Sequence, residues 1–286
     1  MAAPACFACP LLIVNLPAML KQDKEPILQQ IKHSCYITRS REGEQFVPEH
    51  VFSYQIAGSI QINDGVKTYY VNEGDFRLSK RNHLIKFIKS PPPNGEYKAL
   101  SIYLDQQTLR NFSMEYGLKS ERHDTEGPFI ALKPNALYKS FMDSLIPYQQ
   151  SGHAISNELQ RLKLREAILI LLQANPGLMD VLFDFSEPGK IDLESFMNKN
   201  YQFNVELKRF AYLTGRSLAT FKRDFEKTFH TTPGRWLQQR RLKQAHYLIK
   251  QKKQAPSEVY LELGFEDLSH FSFAFKKAFG VAPSKI

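Results

Sequence analysis

A segment near the carboxy terminus of this chain occurs twice. Phe221, Phe225, Phe229 and Pro233 return 50 residues later as Phe271, Phe275, Phe279 and Pro283, and Lys227 returns as Lys277 at the same offset. Upstream, Phe210, Thr214 and Gly215 pair with Val259, Leu263 and Gly264 at an offset of 49, so the second copy carries one extra turn residue. Each copy reads as a short apolar helix, a glycine-containing turn and a longer helix with an aromatic residue at every fourth position. That is a helix-turn-helix layout. On a period of 3.6 residues this spacing gathers the phenylalanines on one face, so they are expected to be buried and the opposite face to meet solvent.

The solvent face decides what such a unit can bind. A helix entering a major groove requires small or polar residues toward its amino end, to approach base edges, and cations on its flanks for phosphate. The first copy offers Ala219, Thr220, Lys222, Arg223, Glu226 and Lys227; the second offers Ser269, His270, Ser272, Phe273, Lys276 and Lys277. Ser217 and Ser269 are suited to cap these helices, since a hydroxyl there satisfies free backbone N–H groups. Between the copies, residues 234–250 read as one long amphipathic helix with Arg235, Arg240, Arg241 and Lys243 near its start and Trp236 as a core anchor. Arg235 joins the candidate DNA contacts. A rigid connector of this kind places two recognition helices in successive major grooves, roughly 34 Å apart.

Charge supports this reading. Residues 189–286 hold 18 basic and 9 acidic residues, while residues 1–188 hold 20 of each, so the whole net charge of +9 lies in the last third. A basic module joined to a neutral one suggests a polyanion-binding part and a separate sensing part. The plainer alternative is a solvated basic surface without a partner.

Residues 193–286 resemble the DNA-binding domain of the AraC/XylS family of bacterial regulators, most tellingly through GFEDLSHFSFAFKKAFGVAPSKI at 264–286. The resemblance implies a cytoplasmic transcription regulator, an activator by expectation, which binds promoter DNA and works with RNA polymerase. It implies base-facing roles for Ala219, Lys222 and Arg223 in the first unit and for Ser269, His270 and Phe273 in the second. Two positions depart from the family pattern: Phe273 stands where arginine is common, and Tyr260 where a small alanine is usual. Because phenylalanine cannot grip guanine, the first unit is expected to carry more of the sequence discrimination.

The larger amino-terminal part reads differently. Between residues 45 and 104, short alternating runs at 52–56, 60–62, 68–71, 76–78, 85–88 and 99–104 are separated by turns at Asn63-Asp64-Gly65 and Asn72-Glu73-Gly74-Asp75. Strands of this length and spacing predict a small barrel or sandwich. Helices are expected at 108–116, 136–148 and 155–173. The last carries Leu159, Leu162, Leu164, Ile168, Leu169, Leu171 and Leu172, a face wide enough for a core helix or a homodimer seam. The expected fold class is α+β: a cupin-like β-barrel followed by helices, then an all-α domain with two helix-turn-helix units on a long linker helix. The expected domains are a disordered leader at 1–20, a regulatory and dimerisation domain at 21–187, and the DNA-binding domain at 188–286, with Pro188-Gly189 at the boundary. By layout the amino half is similar to the family's cupin-like regulatory domains, and more weakly to the branch that activates type III secretion. That branch implies an effector that is either a small molecule or a protein.

No residue pattern requires a cofactor or a metal. Cys6 and Cys9 have C-x-x-C spacing but no second ligand pair, and Cys35 stands apart. The alternative reading, a cupin-type metalloenzyme or a DNA-repair protein with a regulator-like tail, requires paired histidines or a cysteine cluster, and His50 and His83 lack that spacing. The apolar run at 11–16 is too short to cross a bilayer. Glu262, Glu266 and Asp267 beside the second turn read as solvent-facing or helix-capping carboxylates, or as contacts for RNA polymerase.

Overall fold

The structure, a computed structural model, describes residues 30–40, 45–122, 127–150 and 156–286. The expected leader at 1–20, with Cys6 and Cys9, and the first residue of the helix expected at 155–173 lie outside these described residues.

The amino-terminal part is built from β1 (Ile31–Tyr36), β2 (Phe46–Val47), β3 (His50–Ala57), β4 (Ser59–Asn63), β5 (Thr68–Val71), β6 (Phe76–Ser79), β7 (His83–Leu84), β8 (Lys86–Ser90), β9 (Tyr97–Leu104) and β10 (Phe129–Leu132). They form a five-stranded antiparallel sheet in the order β1-β9-β3-β6-β10, a three-stranded sheet β5-β4-β8, and a short ribbon β2-β7. Strand alternation sorts the large sheet's two faces. Phe52, Leu78, Leu100 and Ile102 point to one side and pack under α1 (Gln106–Tyr116), α2 (Ala136–Gln150) and α3 (Asn157–Ala174). Tyr97 and Ala99 point to the other side and meet Ile60, Ile62 and Val71 of the small sheet.

The expected closed barrel is not found. Among the described residues the large sheet ends at β1 and β10 and the small one at β5 and β8. Consecutive strands β3 and β4 bend apart at Gly58 and pair in different sheets, so one continuous ladder does not run round the molecule. The structure is mixed α+β, sheet-rich at the amino end and helical at the carboxy end. On α3 the wide apolar face splits: Leu164, Ile168 and Leu171 enter the core, while Leu162 and Leu169 remain 62% and 45% exposed.

After α4 (Met179–Leu182), the carboxy-terminal part comprises α5 (Leu193–Asn200), α6 (Leu207–Leu213), α7 (Leu218–Phe229), α8 (Pro233–Lys252), α9 (Pro256–Glu262) and α10 (Leu268–Phe279). The linker helix α8 belongs to two cores. Leu237 packs with Phe210, Phe221 and Phe225 of the first unit; Leu242, Ala245 and Ile249 pack with Val259, Phe271 and Phe275 of the second. Fully burying each of these phenylalanines contributes on the order of 1.5–3 kcal/mol, as does each leucine or isoleucine packed beside them. Trp236 closes the first core, its ring 4.6 Å from Phe229 and 5.7 Å from Phe225. Phe46 and Leu84 of the β2-β7 ribbon also enter that first core, which ties the sheet-rich part to it.

Candidate nucleic-acid interface

Each recognition helix is set up by a short helix, a turn and a cap. In the first unit, α6 ends at Thr214, whose buried hydroxyl donates to the Phe210 and Ala211 carbonyls at 2.9 and 3.0 Å. Gly215 then takes a φ of +64°, where a Cβ would run into the Gly189 main chain. Ser217 caps α7, its hydroxyl accepting from the Thr220 amide at 3.2 Å. In the second unit Gly264 takes a φ of +79°, and a Cβ there would meet the Gln202 carbonyl. The cap of α10 is Asp267 and not Ser269: its carboxylate accepts from the His270 amide at 2.6 Å. At the 50-residue offset of the two helices Asp267 stands where Ser217 does, and Ser269, the counterpart of Ala219, falls inside α10.

With the phenylalanines turned inward, the opposite faces are free. Ser217, Ala219, Lys222, Arg223, Lys227 and Arg235 are exposed and Thr220 half-buried; Ser269, His270, Phe273, Lys276 and Lys277 are exposed and Ser272 half-buried. Phe273 is 71% exposed, so it is not packed internally and its ring is available to a ligand. Tyr260 is half-buried, with its ring 6.4 Å from Phe271.

Two arginines behave differently from what charge alone suggests. Arg216 reaches across α7 to Asp224, Nε to Oδ2 at 3.1 Å, and also donates to the Thr214 and Ile191 carbonyls. This hydrogen bond with Arg216 holds the Asp224 carboxyl below its ordinary range. Arg223 lies 3.7 Å from the other oxygen of the same carboxylate while remaining 66% exposed in its side chain, so Asp224 can orient it without burying it. Arg241, read in the sequence among the cations near the start of the linker helix, lies midway along α8 and is engaged by backbone carbonyls. It donates to the carbonyls of Tyr201 at 2.8 Å, Phe203 at 2.7 Å and Gly264 at 3.0 Å, and burial brings its guanidinium down to about 10. Sequence periodicity missed the role of Arg241 because its partners are backbone carbonyls 23 to 40 residues away, and that of Arg216 because it depends on a turn that brings Asp224 and the Thr214 and Ile191 carbonyls together.

The sheet-rich part touches the second turn. Lys86 of β8 donates to the Glu262 carbonyl, and Gln45 accepts from the Asn204 amide at 2.7 Å. Asn204 in turn donates to Glu266 at 2.7 Å.

Two family models match parts of this chain. Residues 210–286 match a helix-turn-helix domain, and residues 50–181 match the ExsA N-terminal regulatory domain. The chain belongs to the AraC/XylS family of transcriptional regulators. The regulatory match falls in the branch to which the amino half was similar by layout. Among its AraC/XylS relatives, the virulence regulon transcriptional activator VirF of Yersinia enterocolitica is 25% identical over 236 residues, 80% of this chain and 86% of its own length. The regulator ExsA of Pseudomonas aeruginosa is 26% identical over 236 residues, 80% of this chain and 83% of its own. A crystal structure of apo ToxT from Vibrio cholerae aligns over 90% of this chain and 96% of that one, with 11% identity and a TM-score of 0.44. The chain is thus a DNA-binding transcription regulator.

Proposed function

We propose that α7 and α10 enter successive major grooves of promoter DNA. Ala219, Lys222 and Arg223 read bases in the first, Ser269, His270 and Phe273 in the second, and Ser217, Thr220, Lys227, Arg235, Ser272, Lys276 and Lys277 hold phosphate or the groove walls. The observation that carries this reading is the pairing of two buried aromatic backs with two exposed faces of small, polar and cationic residues on one shared helix. The first unit supplies more discrimination, because a phenylalanine at 273 offers only apolar contact to a thymine methyl. The operator is therefore long and asymmetric for each protomer.

The remaining assignments extend that reading. Residues 188–286 form the DNA-binding domain and residues 21–187 a cupin-like regulatory and dimerisation domain. A small molecule or a protein bound to the regulatory domain gates DNA binding, and contacts such as Lys86 with Glu262 give it a route to the second turn. Leu162 and Leu169, exposed seven residues apart on α3, seat a second copy in a homodimer. The protein acts in the cytoplasm as an activator that engages RNA polymerase, and it is a regulator and not an enzyme.

Footprinting and binding at graded salt test the interface. Arg223→Ala is expected to cost about 1–3 kcal/mol and relax preference at one base position, whereas Lys277→Ala weakens all sequences alike and lowers the salt slope by about 1. Uniform weakening by Arg223→Ala would overturn its base-reading role.

A further inference from the structure

An acid of the first recognition helix is anchored from the protein side. Arg216, only 8% exposed in its side chain, meets Oδ2 of Asp224 through Nε at 3.1 Å, while its Nη1 donates to the Ile191 and Thr214 carbonyls at 3.0 and 2.7 Å. The second carboxylate oxygen, Oδ1, is the one 3.7 Å from Nε of Arg223. The three side chains form a row that runs from a buried cation through a carboxylate to an exposed cation. Arg216 fixes the carboxylate, and the carboxylate restrains the guanidinium of a side chain that otherwise reaches into solvent.

The second unit shows that this row is not required for the fold. At the 50-residue offset Phe273 stands for Arg223, Ala274 for Asp224 and Glu266 for Arg216, so all three members are replaced together. Phe271 and Phe275 are nevertheless fully buried there, as Phe221 and Phe225 are in the first unit. Nor does Asp224 cap its helix, a role held by Ser217. The copy that lacks the exposed arginine lacks its acid and the brace behind it, which ties the row to what that arginine does.

Electrostatics agree. A bare carboxylate on a groove-facing helix repels phosphate. Here Arg216, Lys190 and Arg223 all act on the Asp224 charge. A long arginine loses rotamer freedom when it docks on a base edge, and restraint in the free protein removes part of that loss. Engaging a guanidinium at Nε leaves Nη1 and Nη2 to donate. Guanine sets two acceptors, O6 and N7, side by side in the major groove, whereas adenine sets a donor beside its N7.

We propose that Asp224 is a positioning residue, which presets the guanidinium of Arg223 for two-acceptor readout of guanine. The proposal rests on the reading that Arg223 faces bases; it adds which base is read and which neighbour enforces the choice. Asp224 itself does not touch the base.

The test starts from a random double-stranded DNA library selected by the full chain, followed by binding to single-base variants of the selected site. Arg223→Ala locates the position that Arg223 reads, which is expected to be a guanine. Asp224→Asn, of nearly the same shape without the charge, is expected to lower the preference for guanine at that position by about 5-fold or more. Preferences elsewhere are expected to stay as in the parent, and the salt slope not to fall, since no cation is lost. Asp224→Glu, which keeps the charge, is expected to retain more of the preference than Asp224→Asn. With Arg223 already replaced by Ala, Asp224→Asn is expected to change nothing further at that position. Each preference is a ratio measured on one preparation, so partial unfolding of a variant cancels. Unchanged guanine preference in Asp224→Asn, an equal loss at every position, a further change in the Arg223→Ala background, or a base other than guanine at the located position would overturn the proposal. An Arg223→Ala variant that keeps every base preference sinks the base-facing reading and the positioning role with it; one that relaxes a guanine position while Asp224→Asn does not sinks the positioning role alone.

Discussion

The guanidinium of Arg241, midway along α8, hydrogen-bonds the carbonyl of Gly264 in the second helix-turn-helix turn, 3.0 Å away. The same side chain holds the carbonyls of Tyr201 and Phe203 in the segment after α5, so one cation joins three parts of the DNA-binding region. Charge counting alone groups it with the phosphate contacts; its hydrogen bonds make it a staple.

Removing the staple therefore separates stability from DNA contact. Arg241→Ala leaves three carbonyls without their donor, at about 1–3 kcal/mol for each one that remains buried. Urea unfolding of the variant is expected to show a loss of at least that size. The salt slope of DNA binding, measured where the variant is still folded, is expected to match the parent; a slope reduced by about 1 would place Arg241 on phosphate instead.

The second turn tolerates no side chain at 264. Gly264→Ala is expected to destabilise by about 1–3 kcal/mol, since a positive φ and a backbone clash act together. Gly234→Ala, in the first turn of α8 with open space around it, serves as the comparison and is expected to be neutral or slightly stabilising. Thermal unfolding of the two variants checks the difference.

Capping of α10 gives a sharper contrast between neighbours. Asp267→Ala is expected to cost about 0.5–2 kcal/mol, while Ser269→Ala leaves stability within about 0.5 kcal/mol of the parent. Unfolding without DNA measures this; an equal loss from both would return the cap to Ser269.

Glu49 makes stability depend on pH. Burial, with the Asp105 charge adding to it, pushes its carboxyl up to about 7 from an ordinary 4.5. Between those values the folded chain holds a proton that the unfolded chain has lost, so this contribution is present below about pH 4.5 and disappears as pH rises through about 7. Its neighbour His50 pulls the other way, because burial, followed by Arg81, brings its imidazole down to about 3. The informative quantity is the Tm of the parent minus that of Glu49→Gln, which is expected to fall between about pH 5 and pH 7. A flat difference would show that Glu49 titrates normally.

Legibility in the sequence followed the range of the interactions. The helix expected at 234–250 is found at Pro233–Lys252, and the turn at Asn63-Asp64-Gly65 joins β4 to β5, because both depend on neighbours a few residues away. The edge strands β1 and β10 were missed, since their pairing with β9 and β6 supplies the order that their own residues do not. The same limit applies to Ser269. Its hydroxyl suits a cap, but the helix starts two residues earlier, and of the carboxylates read as solvent-facing or helix-capping it is Asp267 that accepts from the His270 amide.

By itself the sequence determined that there are two aromatic-backed helix-turn-helix units, that the charge excess lies with them, and which faces point outward. A period of 3.6 residues acts within one helix and requires no partner. Tertiary structure decided which charges are free. Arg241 and Arg77 are both plain arginines in the chain, yet folding gives one three carbonyls and leaves the other buried beside an open cavity. Desolvation and the positions of distant partners set that difference, and neither is written in local spacing.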